Sequence, residues 1–336
     1  MAASNHHVVV LGGGAFGVAL SKIMADKGLS TELWARNPEV VASINQFHHH
    51  PKRLSHVRLP DALKATTDLQ AALSKADIVI SALPMVALTE VWQTAKPFIQ
   101  PHALVVSTTK GIEDKTLRFS SDILAHILGP SFLNQTTFLS GPSFASELAQ
   151  GLPTALTLAG AHLPTVETLQ VILSGSVLRC YASQDVIGLE VAGALKNVIA
   201  IAAGAVDGLE LGNNAKAALI TRGLAEITRL AVAMGGMSHT FSGLAGIGDL
   251  FLTCHGPLSR NRMLGFELAK GRSLEATLTH LGQVVEGVNT TRSVNLLCEK
   301  YKVDMPISKG VYRLLFDQVP LYQTLTDLLA RKLGFE

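Results

Sequence analysis

Six residues constrain this chain more than any others. Gly12-Gly13-Gly14-Ala15-Phe16-Gly17 stands between an apolar run at 8–11 and a helical stretch at 15–27. The spacing is G-x-G-x-x-G. In a glycine-rich chain the spacing alone says little, and its context gives it meaning: an apolar strand leads in and a helix opens inside it. Gly12 permits a tight turn. Gly14 lets backbone approach a pyrophosphate, and Gly17 lets the helix lie close to the strand. The first amides of that helix then face the phosphates, where the positive end of the helix dipole adds to their pull. A plain glycine turn is the competing reading.

The next 170 or so residues fit the same architecture. Short apolar or β-branched runs recur at 31–35, 77–83, 103–108, 137–140, 154–159 and 177–182, with helical stretches between them. Continuous apolar strands separated by helices predict a mainly parallel sheet covered on both faces, a doubly wound α/β Rossmann domain. After about Gln184 the pattern changes. Helical stretches at 184–206, 214–234, 260–270, 273–281, 290–300, 310–316 and 321–332 take over, and convincing strands stop. The 336 residues suit two domains. The reading is an NAD(P)-binding Rossmann domain over 1–189 and an all-α C-terminal domain over 190–336.

Composition narrows the partners. A net charge of +2 offers no bulk attraction to nucleic acid or an anionic membrane. Cys180, Cys254 and Cys298 are odd in number and lack metal spacing, which suits free thiols in a reducing, cytoplasmic compartment. The opening Met1–His7 stretch lacks a basic region followed by an apolar one, so no signal peptide is expected. Residues 187–206 are long and apolar enough to span a bilayer, but Glu190 and Lys196 interrupt them, and a buried helix is the better reading. The His48-His49-His50 run before Pro51 reads as an ordinary polar loop rather than a zinc site, and no metal is expected. The apolar stripe on 214–234 is a candidate homodimer face, although such stripes are more often internal core.

Polar residues in telling places complete the picture. The second strand ends in Trp34-Ala35-Arg36-Asn37 rather than in the acidic residue that holds ribose hydroxyls, and Glu32 comes too early. Arg36 can pair with a 2′-phosphate, lie over adenine, or simply be solvated. NADP(H) is therefore the preferred cofactor, with NAD(H) as the alternative. Lys110 and Gly141-Pro142-Ser143 come directly after other strands, where ligands collect in such sheets; a solvated lysine is the bland alternative for Lys110. Lys196 sits mid-helix among small apolar residues. Such a lysine is either paired and suited to proton transfer or snorkels to solvent. Asp249, in Gly246-Ile247-Gly248-Asp249, can hold Lys196 or a substrate hydroxyl, or cap a helix. Ser259-Arg260-Asn261 opens a helix that can grip a phosphate, or Ser259 can be a cap and nothing more.

Taken together, these segments resemble the bacterial NAD(P)-dependent sn-glycerol-3-phosphate dehydrogenase family. The matching stretches are 12–17, Thr109-Lys110-Gly111-Ile112-Glu113, Ser140-Gly141-Pro142-Ser143-Phe144-Ala145, Ala194-Leu195-Lys196-Asn197, residues 243–250, Leu252-Thr253-Cys254, residues 256–261 and Val285-Glu286-Gly287. They run in family order over almost the whole chain. The resemblance implies reduction of dihydroxyacetone phosphate to sn-glycerol 3-phosphate for phospholipid synthesis. It implies Lys196 as the proton donor or acceptor. It implies contacts to the glycerol phosphate from Lys110, Gly141, Ser143, Asp249, Ser259, Arg260 and Asn261. It implies cofactor contacts from Ala15, Phe16, Arg36, Lys110, Ala145, Arg260, Val284 and Glu286. One departure stands out: in the loop at 48–55, Arg53 and Ser55 replace the Tyr and Pro of the family's Tyr-Leu-Pro element. The rivals are another two-domain reductase, such as a 3-hydroxy acid dehydrogenase, and a dinucleotide sensor without turnover.

Overall fold

The computed structural model describes residues 6–282 and 284–332. The first five residues of the stretch read for a signal peptide lie outside them. The chain divides into two compact units, one of Met1–Lys110 with Phe119–Val186 and the other of Gly111–Arg118 with Ile187–Glu336. The excursion at Gly111–Arg118 carries no signal in the sequence. Within the second unit, Asp114 accepts from the Ser293 hydroxyl at 3.4 Å.

The first unit is built on eight strands: β1 (His7–Leu11), β2 (Ser30–Trp34), β3 (Lys64–Thr66), β4 (Ile78–Ser81), β5 (Leu104–Ser107), β6 (Thr136–Ser140), β7 (Thr154–Ala159) and β8 (Leu178–Ser183). Their order is β3-β2-β1-β4-β5-β6-β7-β8. Neighbours run parallel except β6 and β7, which pair antiparallel with Phe138 opposite Ala159. The mainly parallel, helix-covered sheet is the one expected. Val8, Val9, Val10 and Leu11 are all fully buried, as a central strand covered on both faces requires. Each such side chain contributes roughly 1.5–3 kcal/mol of burial. β3 escaped the sequence reading because Lys64-Ala65-Thr66 has no apolar run. It is a short edge strand, and short edges limit unwanted pairing.

The second unit is helical. Its central element is Val186–Gly208, buried over nearly its whole length. Among the described residues it is the one helix long and apolar enough to cross a membrane, and 83% of its most apolar window is buried inside the fold. That is the buried helix the interruptions at Glu190 and Lys196 predicted. Glycines set how closely its neighbours approach. A Cβ on Gly204 would lie 1.8 Å from the Arg262 carbonyl oxygen, and one on Gly265 equally close to that of Ile201. The Arg260–Ala269 helix therefore touches it backbone to backbone. The stripe considered as a dimer face belongs to Gly212–Ala233, where Ile220, Ile227, Leu230 and Ala231 are buried. It is internal core.

Candidate functional site

In the first unit the glycine turn joins β1 to the helix Ala15–Asp26. Gly12 has φ +120°, and a Cβ there would meet the Ala82 carbonyl oxygen at 2.6 Å. A Cβ on Gly17 would fall 2.0 Å from the Gly12 oxygen, so the helix can start only if that residue is glycine. Around Gly14 a Cβ would meet nothing within 4 Å. The turn is thus locked on its inner side and open where a ligand's phosphates would approach. Ala15 and Phe16 form the first turn of the helix, where amides lack intrahelical partners. These features fit a dinucleotide pyrophosphate.

The ends of neighbouring strands supply polar groups. Arg36 lies exposed just beyond β2, and Asn37 caps the next helix, Pro38–Phe47, by accepting from the Glu39 N–H at 2.8 Å. Glu32 is occupied within its strand, 3.4 Å from Lys75 and 3.7 Å from the His7 ring. Beyond β5 and β6, the Lys110 ammonium and the Ser143 hydroxyl both donate to the Gly141 carbonyl, at 3.3 and 3.0 Å. Gly141 itself has φ +140°, a backbone that side chains rarely adopt. Ala145 begins the short helix Ala145–Ala149. The structure thus brings Lys110, Gly141 and Ser143 together.

In the second unit Lys196 does not snorkel. It is 8% exposed, and Asp249 beside it is 1% exposed. Its ammonium donates to the Asp249 carboxylate and, at 3.0 Å, to the Thr253 hydroxyl. Asp249 stands at the first position of the helix Asp249–His255 rather than before it, so its carboxylate serves Lys196 rather than capping. The sequence offered a helix here only through the alternative that Asp249 caps one. Gly246 breaks the helical path with φ −85° and ψ −105°, and a Cβ there would meet the Phe241 Cα at 2.3 Å. Such kinked, π-type segments often mark functional sites.

Asn197, next to Lys196, faces a second cluster. Its side-chain carbonyl accepts from the Asn261 amide at 2.9 Å, and its own amide donates to Glu286 at 3.3 Å. The Asn261 carbonyl in turn accepts from the Gly287 N–H at 2.9 Å. Arg260 donates to the Val284 carbonyl at 2.8 Å. Ser259 is buried and caps the helix Arg260–Ala269, accepting from the Arg262 N–H. So Ser259, Arg260, Asn261, Val284 and Glu286 form one patch, joined to Lys196 through Asn197. Sequence reasoning gave no role to Thr253 or Asn197. The i, i+4 spacing of Asp249 and Thr253 was the available signal. Among the described residues no three metal-ligating side chains gather.

The histidine run lies, as read from the sequence, in a loop after the Pro38–Phe47 helix. His48 ends the helix in the left-handed region at φ 56°, and Leu54 repeats that conformation. His50, the last of the three histidines, is only 4% exposed. Its Nε2 lies 3.1 Å from the Gly13 carbonyl oxygen.

Similarity to known proteins spans both units. The NAD-dependent glycerol-3-phosphate dehydrogenase N-terminus profile matches residues 7–165, and the C-terminus profile matches residues 185–326. A glycerol-3-phosphate dehydrogenase [NAD(P)+] of Leptospira biflexa is 45% identical, over 97% of this chain and 98% of its own length. One from Syntrophobacter fumaroxidans is 43% identical, over 97% and 96%. The crystal structure of glycerol-3-phosphate dehydrogenase from Coxiella burnetii superposes with a TM-score of 0.91 at 37% identity, covering 97% of this chain and 99% of that one.

Proposed function

Because the chain belongs to the NAD-dependent glycerol-3-phosphate dehydrogenase family, we infer that it interconverts dihydroxyacetone phosphate and sn-glycerol 3-phosphate, for phospholipid synthesis. A bound nicotinamide dinucleotide supplies or accepts the hydride. The rest falls to residues of this chain. Lys196 holds the proton that the substrate oxygen gains on reduction and loses on oxidation. As an ammonium it also stabilises negative charge developing on that oxygen. Asp249 and Thr253 fix the direction of its Nζ. The observation that carries this reading is the buried lysine itself: a charge 8% exposed in an apolar helix is retained where it is paired and used.

Other residues take the remaining roles. Arg260, the helix start at Ser259 and Asn261 suit the substrate phosphate, since free amides and a guanidinium both favour a dianion. Lys110, Gly141 and Ser143 offer further contacts to the same substrate, and Lys110 to the cofactor as well. Gly12, Gly14, Ala15, Phe16 and Gly17 take the pyrophosphate, with Ala145, Val284 and Glu286 as further cofactor contacts. Arg36, exposed beyond β2 while Glu32 is occupied, favours NADP(H) over NAD(H). Residues 1–189 then serve as the cofactor domain and 190–336 as the domain of substrate and catalysis. Three buried thiols suit a reducing cytoplasm.

The test is oxidation of NADPH with dihydroxyacetone phosphate, by the wild type and by Lys196→Ala, monitored through the absorbance of the reduced ring. Turnover by the wild type, lost in a folded variant that still binds NADPH, is expected. A folded wild type that binds NADPH without turnover would favour the sensor, and NADPH oxidation only with a 3-oxo acid, the oxidised partner of a 3-hydroxy acid, would favour the other reductases.

A further inference from the structure

His50 makes three contacts, and they define its chemistry. Its Nδ1 accepts from the Lys52 N–H at 3.1 Å and from the Arg53 N–H at 3.0 Å. A nitrogen that receives two amide protons carries none, so the ring proton is on Nε2. Nε2 then donates to the Gly13 carbonyl at 3.1 Å. Burial holds the ring's pKa below the usual histidine value; the Gly13 bond opposes that shift and the Arg53 charge adds to it. The neutral tautomer that makes all three bonds is therefore the form present at neutral pH.

The Gly13 carbonyl is not an incidental acceptor. It shares one planar trans peptide with the Gly14 N–H, and the two point in opposite directions. Whatever fixes the carbonyl aims the amide. Among the described residues the Gly14 N–H donates to no other group, and space is open beside Gly14. The far face of Gly13 is closed by Ala35, whose Cβ would lie 2.8 Å from a Cβ added to the glycine.

We propose that His50 is a positioning residue of the dinucleotide site: its Nε2–H holds the Gly13 carbonyl and thereby aims the Gly14 N–H at the incoming pyrophosphate. The ring also ties the 50–53 loop to the glycine turn through Nδ1, so one side chain does two separable things. The inference rests on the glycine turn as the site of the dinucleotide.

Two substitutions separate the roles. In His50→Asn the side-chain oxygen replaces Nδ1 and keeps the Lys52 and Arg53 amides satisfied, but nothing reaches Gly13. In His50→Gln the terminal amide reaches Gly13, but the loop amides lose their acceptor. NADPH binding is measured by fluorescence titration, alongside KM, kcat and thermal unfolding. His50→Asn is expected to keep its Tm and kcat while Kd and KM for NADPH rise about fivefold, the worth of one net hydrogen bond. His50→Gln is expected to keep the affinity and lose Tm. An unchanged Kd in His50→Asn, or affinity and Tm falling together in both variants, overturns the proposal. Gly14→Val serves as the reference, since its side chain enters open space and blocks approach to the turn. If Gly14→Val binds NADPH normally, the turn is not the site and both readings fall. If it does not bind while His50→Asn is unaffected, only the role of His50 falls.

Discussion

Removing the Asp249 carboxylate leaves the Lys196 ammonium in a place built for a pair. Lys196 is 8% exposed and Asp249 1%, so water cannot replace the lost partner. Breaking one side of a buried ion pair costs about 3–5 kcal/mol, whereas replacing both members by apolar groups is often neutral. Asp249→Ala should therefore destabilise the second unit by about 3–5 kcal/mol, which for a unit of this size lowers its Tm by roughly 10 °C. Thr253, at 3.0 Å, still accepts from the ammonium and places the loss toward the lower end. Asp249→Asn retains a carbonyl acceptor and should lose about half as much, since a neutral acceptor is worth less than a charged one. The informative variant is Lys196→Met with Asp249→Leu, which should recover most of the stability while remaining inactive. Urea unfolding monitored by circular dichroism measures all of these. If Asp249→Ala falls within 1 kcal/mol of the wild type, or the double variant is as unstable as the sum of its parts, then burial is not what makes this pair matter.

Three other outcomes are expected. Gly204→Ala forces a Cβ to within 1.8 Å of the Arg262 oxygen, so the two helices must part. That should cost about 1–3 kcal/mol and, by drawing Asn261 from Asn197, lower kcat; an unchanged kcat would show that this contact does not set the site. Burial pushes the Glu226 carboxyl above its ordinary range, and its bonds from Ile307 and Ser308 only partly offset that. A raised folded-state value means the native form holds the proton longer. Stability of the second unit should therefore fall as pH rises from the unfolded value through the folded one, and Glu226→Gln should remove that slope from a Tm-against-pH series. Finally, burial pushes Cys180 and Cys298 up to about 11 and Cys254 up to about 12. A thiol reagent at mildly alkaline pH should label none of them in the native protein and all three in denaturant; rapid native labelling of Cys254 would contradict its burial.

The local patterns are legible along the chain. Val8-Val9-Val10-Leu11 before three glycines permits few structures other than a buried strand, a tight turn and a helix. That is because glycine's freedom, β-branched strand preference and helix amphipathicity act over a few residues and are written in order along the chain. The change to long helices after Gln184 is equally local. Lys196 was conspicuous because a charge among alanines is costly wherever the helix lies. Which groups meet follows from the three-dimensional packing. Whether Lys196 is paired or snorkels depends on Asp249, 53 residues away on another helix. Asn197 meets Asn261 because Gly204 and Gly265 let two helices touch, and no property of either residue announces it. His50 reads in the sequence as part of an ordinary polar loop, and nothing there places its ring against Gly13, since a histidine's tautomer and burial are set by what folds over it. Local propensity fixes elements, whereas pairing over tens of residues depends on how closely whole helices and strands approach, and a linear pattern does not carry that distance.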